Sequence, residues 1–226
     1  MVPVWLNLLA WVSLGVAFAC AAAMLIDLLR HPQKMTIMNW VWPITALYAG
    51  PMAVWAYRKY GRAGSQAAAE HDGGPKKKKP FWAAVLIGVT HCGAGCTLGD
   101  IIAEFAIFFT GISLAGSVLL TEFAGDYVLA YAIGIVFQYF AIVPMRGLSP
   151  GPGIWAAMKA DTLSLTAFEV GLFGWMAASY FVFFHPHLKP DQPTYWFMMQ
   201  IGMLVGFATS YPMNWWLIRT GIKERM

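Results

Sequence analysis

The chain has 226 residues, of which 59% are hydrophobic and 12% charged, with a formal net charge of +4. Soluble domains carry about a quarter charged residues, so a chain this apolar could not cover its own surface in water, and the excess must face lipid. The basic residues fall between apolar runs, where they set membrane topology and mark no nucleic-acid partner.

Apolar runs lie at about 4–29, 36–57, 81–110, 123–144, 154–184 and 195–218. At about 20 residues per crossing, these predict an all-α integral membrane protein with six transmembrane helices. The first run carries no Lys or Arg ahead of it, so the basic start of a cleaved signal is missing and a retained span is expected. The third run is expected to break near Gly93, Gly95 and Gly99. With six spans, twelve Lys and Arg residues fall on one side and three (Arg30, Lys34 and Lys189) on the other. That bias predicts both termini in the cytoplasm of a cell (inner or plasma) membrane. Trp5, Trp40, Tyr57, Trp82, Tyr195 and Trp216 fit interfacial belts. The expected organisation is a two-helix hairpin (1–60), a polybasic cytoplasmic linker (61–80) and a four-helix membrane domain (81–226). The linker's Lys76–Lys79 run would attract anionic headgroups at roughly 1 kcal/mol per Lys.

The spans read as three hairpins that resemble one another. "PMAVWAYR" from Pro51 and "PMNWWLIR" from Pro212 share P-M-x-x-W-x-x-R, and "PMR" at Pro144 is a weak third copy. "CTLGDIIAEFAIF" from Cys96 lies over "DTLSLTAFEVGLF" from Asp161, pairing Glu104 with Glu169, and Asp27 falls near the same place in the first hairpin. Threefold duplication would put a site where the repeats meet.

The densest chemistry is "THCGAGCTLGDIIAE", Thr90 to Glu104. At about 100° per residue, Cys92, Cys96, Asp100 and Glu104 step along one helix face, with His91 turned about 100° aside. Two thiols and a carboxylate on one face suit a soft or borderline cation, Cu or Zn. An acid at a bilayer centre costs roughly 2.5–3.5 kcal/mol on insertion scales, so Asp100, Glu104, Asp161 and Glu169 call for a compensating cation, proton or donor. Cys92, Cys96, Asp100 and His91 are the candidate metal ligands. Asp27, Glu104, Asp161 and Glu169 are candidates for an ion path or proton relay. Thr162, Ser164 and Thr166 supply hydroxyls that can also bond their own backbone. Secondary candidates are a thioether triad, Met52, Met145 and Met213, which would suit Cu(I), and an outer histidine group, His31, His185 and His187. His71, in the linker, carries no reading.

"THCGAGCTLGDIIAE", "ADTLSLTAFEVGLFGWM" from Ala160 and "SYPMNWWLIRTGIKERM" from Ser210 resemble the bacterial membrane family named domain of unknown function 4396, and the segment from Asp27 is similar to a companion of that family. The resemblance implies a loose association with copper handling and no catalytic residues. The expected function is membrane transport or binding of a metal cation, Cu(I) favoured. The alternatives are a membrane oxidoreductase using the thiols or a bound metal, a proton-coupled solute carrier, and an accessory subunit of a membrane complex or homo-oligomer. No CxxC redox pair, haem attachment, flavin or nucleotide motif is present.

Overall fold

In the computed structural model, residues 2–62 and 80–224 are described, and every regular element among them is helical. The expected linker's His71 and Lys76–Lys79 lie outside the described residues. The N-terminal part comprises α1 (Val4–Arg30), α2 (Met38–Ala49) and α3 (Pro51–Ala56, continued by a π turn, Tyr57–Gly61). The remainder comprises α4 (Phe81–Thr110), α5 (Val118–Arg146), α6 (Pro150–Ala178, continued by a π turn, Ser179–Phe183) and α7 (Pro193–Arg219). Helices α1, α4, α5 and α6, the last with its π turn, are each long and apolar enough to cross a membrane. Helix α7 matches them in length with 27 residues.

Local chemistry sets the helix ends. Proline stands in the first turn of α3, α6 and α7, where its missing N–H costs nothing. Ser117 caps α5 by accepting a hydrogen bond from the Leu120 N–H at 3.2 Å. Gly111 and Gly147 end α4 and α5 in the left-handed conformation, at φ 67° and 62°.

The bundle has two distinct ends. At the first, the start of α4 meets the end of α7: the Phe81 and Trp215 rings stand 4.6 Å apart, and the Tyr211 hydroxyl donates to the Trp82 carbonyl. At the second lie the 111–117 and 184–192 connections. Residues Val2 to Asn7 line a cavity with Phe183 to Thr194, so α1 begins at this second end and runs parallel to α7.

The expected second span does not cross. Trp42 on α2 and Tyr57 after α3 have ring centroids 5.6 Å apart, and Gly61 abuts the Trp42 indole. A straight helix would separate residues 42 and 57 by about 22 Å. The chain instead reverses at Gly50 (φ 50°, ψ −126°), a backbone conformation reserved for glycine. Helix α2, with 12 residues, reaches about 18 Å, and α3 returns to the end it came from. The run 36–57 is a helical hairpin that folds back to the end from which it starts.

Two expectations change with it. The N-terminus and C-terminus lie at opposite ends of the bundle, not at the same one. Arg30 and Lys34 also move to the end that holds Arg58, Lys59, Arg62, Arg146, Lys159, Arg219 and Lys223, leaving Lys189 the only described basic side chain at the other. We call the first the basic end and the second the loop end.

Such a hairpin exposes carbonyls at its tip that need donors away from water. The Leu47 carbonyl accepts from the Gln200 Nε2 of α7 at 2.7 Å, and Gln200 Oε1 accepts from the Ser13 hydroxyl of α1 at 2.7 Å. One glutamine thus ties three elements together at the tip.

Helix α4 is unbroken from Phe81 to Thr110, against the expected kink. Its glycines serve as contact surfaces: Gly99 lies against the Ala130 backbone and Gly95 against Gly134 of α5. Of the expected belt residues, Trp5, Trp40, Trp82 and Trp216 are exposed, whereas Tyr57 and Tyr195 are buried.

Candidate functional site: a buried carboxylate cluster

The face predicted on α4 holds. Cys92, Cys96, Asp100 and Glu104 are all buried and descend from the loop end toward the middle of the bundle in the order Glu104, Asp100, Cys96, Cys92. The close approach of Gly99 to Ala130 brings α5 in beside this face and sets Asp126 against Asp100 and Glu104. From α6, Glu169 faces Asp100 and Asp126 and lies against the Cys96 thiol. Four carboxyl groups from three helices therefore share one interior region.

Their surroundings leave them poorly satisfied. Both oxygens of Asp100 and of Glu169, with Oε2 of Glu104 and Oδ1 of Asp126, are buried without a well-formed hydrogen bond. The Cys96 thiol that meets Glu169 is a weak donor. Among the described residues, none of the four pairs with a Lys or Arg. Buried carboxylates at close quarters in a low dielectric repel one another strongly, so the region requires added positive charge.

A cavity lies beyond the cluster at the loop end. Glu122 and Tyr195 face Glu104 and also line a cavity of about 460 Å³. Ser179, His187 and Lys189 contribute polar groups to the same cavity, and Ile107, Phe108 and Met176 are among its apolar walls. His187 is fixed there by stacking on the Tyr180 ring at 3.6 Å, with Nδ1 3.0 Å from the Tyr180 carbonyl. At the opposite, inner side of the cluster, Tyr48 from the hairpin tip faces Cys92 and Cys96, its hydroxyl against Gly93.

Other predicted site residues lie elsewhere. His91 packs edge-on to Phe137, away from the thiols, because unbroken α4 keeps it off their face. Asp27 sits at the basic end, where Arg62 and the Tyr57 hydroxyl bond it at 2.8 and 2.7 Å and His31 approaches to 3.3 Å. It is therefore no part of a path from the loop end, and His31 lies a full bundle length from His185 and His187. These two are neighbours, 5.4 Å apart. Met52 and Met145 are exposed at 58% and 46%, so the methionines do not converge round an axis. Asp161 is buried in a separate polar network, with Oδ1 accepting from Gln138 Nε2 and the Ser164 hydroxyl, both at 3.3 Å. Thr162 and Thr166 donate to the Met158 and Thr162 carbonyls and meet the Tyr131 and Tyr127 hydroxyls. Cys20 packs near Met24 and Trp42, in a different core from Cys92 and Cys96.

Asp126, Glu122, Tyr195 and Tyr48 join the site without having been selected from sequence. Asp126 had a legible signal, since it is an acid within the fourth apolar run. The two tyrosines had none, because burial distinguishes them from belt residues.

Among the described residues, no three His, Cys, Asp or Glu side chains stand round a common point at distances that would hold a metal ion. The thiols and carboxyls form an elongated column rather than a closed cage.

The fold and this column define a helical protein with four helices long and apolar enough to cross a membrane and an interior ionisable site. Residues 81–223 match the family model described as Domain of unknown function (DUF4396), and the chain belongs to that family. No curated protein and no solved structure matches the chain.

Proposed function

We propose that the protein is a membrane transporter for a cation, with Asp100, Glu104, Asp126 and Glu169 as its translocation site. The observation that supports this is the uncompensated buried acid cluster behind a cavity at one end. Protons or a bound cation would supply the missing charge, and Glu122 and Tyr195 would pass it between the cavity and Glu104.

The topology that fits the charge distribution has the basic end in the cytoplasm, since only Lys189 lies at the loop end among the described residues. The four long apolar helices and α7 then make five crossings. The N-terminus lies outside, the C-terminus in the cytoplasm, and the hairpin enters from the cytoplasm. The cavity opens outward, in a cell membrane whose anionic headgroups the basic end attracts.

Two cargoes are compatible with the site. A proton-coupled carrier needs only the carboxyls. A soft metal cation, Cu(I) first, is favoured by the meeting of Cys92 and Cys96 with Glu169 and Asp100. In that case the ion is substrate, held in turn by carboxylates and thiols.

Reconstituted vesicles loaded with a pH-sensitive dye separate these readings. Proton flux lost in Glu169→Gln and Asp126→Asn, and retained in Cys92→Ser/Cys96→Ser, supports proton coupling. Cu(I) uptake lost in all three supports a metal cargo. Neither flux in the wild-type protein, at any imposed proton or Cu(I) gradient, sinks the transport reading.

A further inference from the structure

A second polar site lies at the basic end, and its centre is a buried lysine. Helix α7 ends at Arg219, and Gly221 (φ 76°) turns the chain back so that the Ile222 and Lys223 N–H groups both donate to the Leu217 carbonyl. This reversal drives the Lys223 side chain into the bundle, where the residue is 2% exposed. Its ammonium donates to the Gly88 carbonyl of α4 (3.3 Å), the Ser164 hydroxyl of α6 (3.1 Å) and Oδ1 of Asn214 on α7 (2.7 Å).

The acceptors are held in place by their own network. Asn214 Nδ2 donates to the Ser210 hydroxyl at 2.8 Å, and the Ser210 hydroxyl donates to the Ser164 carbonyl at 2.8 Å. One carboxyl group stands behind them: Asp161, bonded to Ser164 through Oδ1, its Oδ2 buried without a partner against Gly134. His91, with both ring nitrogens unpartnered, lies within electrostatic reach. Outside, Glu224 pairs with Arg146 at the end of α5 and straps the tail to the bundle.

We propose that the Gly88 carbonyl, Ser164 hydroxyl and Asn214 side-chain oxygen form a monovalent-cation site that the protein's own Lys223 ammonium occupies in this conformation. Three oxygens accept from a single positive charge, with the Asp161 carboxyl group behind them. Distances of 2.7–3.3 Å are those of an ammonium-sized ion and exceed the contacts Mg²⁺ and Ca²⁺ require, about 2.0–2.6 Å. A buried ammonium of this kind needs its full set of partners, and a cation that replaces Lys223 meets the same three oxygens. Release of the tail from Arg146 would hand the site to a free alkali or ammonium ion entering from the basic end. The site shares no residue with the carboxylate cluster and does not depend on its function.

The test is binding of radioactive rubidium to the full-length protein in detergent and choline buffer. Wild-type protein is expected to bind none. Lys223→Ala is expected to bind a stoichiometric amount that potassium displaces, and adding Asn214→Leu to it should abolish the binding. Glu224→Gln, which removes the tail's ion pair with Arg146 but keeps every site residue, is expected to bind rubidium more weakly, because the tethered ammonium competes. Absence of saturable binding in folded Lys223→Ala overturns the proposal. So does its absence in Glu224→Gln if Lys223→Ala does not fold, and so does binding that survives Asn214→Leu.

Discussion

Asp27 and Arg62 form a 2.8 Å ion pair although they lie 35 residues apart, at the end of α1 and beyond the end of the following hairpin. If the run 36–57 crossed the bundle, the two would stand at opposite ends. Both side chains are partly exposed, so the pair contributes about 0–1 kcal/mol and records the folded-back path rather than causing it.

The path predicts which sites a membrane-impermeant thiol reagent reaches. Single cysteines at Asn7 and Gln33 should label from opposite sides of the membrane. Six straight spans would also put those two positions on opposite sides, so the decisive pair is Gln33 with Arg58. Gln33→Cys and Arg58→Cys should label from the same side, and labelling from opposite sides rejects the folded-back hairpin.

Gly50 allows the reversal, and a side chain there meets no steric neighbour within 4 Å but must adopt φ 50°, ψ −126°. Gly50→Ala is therefore expected to lower stability by about 1–3 kcal/mol through backbone strain alone. Gly15, on α1 with ordinary helical φ and open space, is the control, and Gly15→Ala should leave the melting temperature unchanged or raise it.

Gln200 satisfies the Leu47 carbonyl at the hairpin tip and is itself held by Ser13. Gln200→Leu leaves that carbonyl unpaired at depth and should cost about 1–3 kcal/mol. Ser13→Ala removes only the outer link and should cost less, about 1 kcal/mol. Thermal unfolding in detergent measures both, and equal losses would count against the glutamine as the tie.

Gly99→Val places a branched side chain where the Ala130 backbone already lies. Helices α4 and α5 would separate, moving Asp126 from Asp100 and Glu104. The expected outcome is a loss of about 1–3 kcal/mol or more in stability, together with reduced transport. Normal transport in a folded Gly99→Val protein would show that the contact between the acids is dispensable.

Asp126→Asn and Asp161→Asn separate the two interior sites. The first should abolish cation flux through the carboxylate cluster. The second should leave that flux and instead alter the Lys223 site, read as a change in rubidium binding by the Lys223→Ala protein. Equal loss of flux in both would merge the two sites into one pathway.

Much of the site was present in the spacing of one segment. Cys92, Cys96, Asp100 and Glu104 recur every fourth residue, and helical geometry alone puts them on one buried face. The cost of an acid in hydrocarbon marked Glu169 as its partner and applies equally to Asp126. Composition also pointed to helices long and apolar enough to cross a membrane, and the long motifs of 81–223 determined its family. Only the tertiary structure decided the direction of the second apolar run, because hydropathy measures affinity for lipid and not whether a segment crosses or turns back at a glycine. Only it separated Asp161 from the carboxylates and His31 from His185, since depth follows from that direction. It alone buried Lys223, whose acceptors Gly88 and Ser164 lie 135 and 59 residues away in the chain and meet it only when three helices and the returning tail come together.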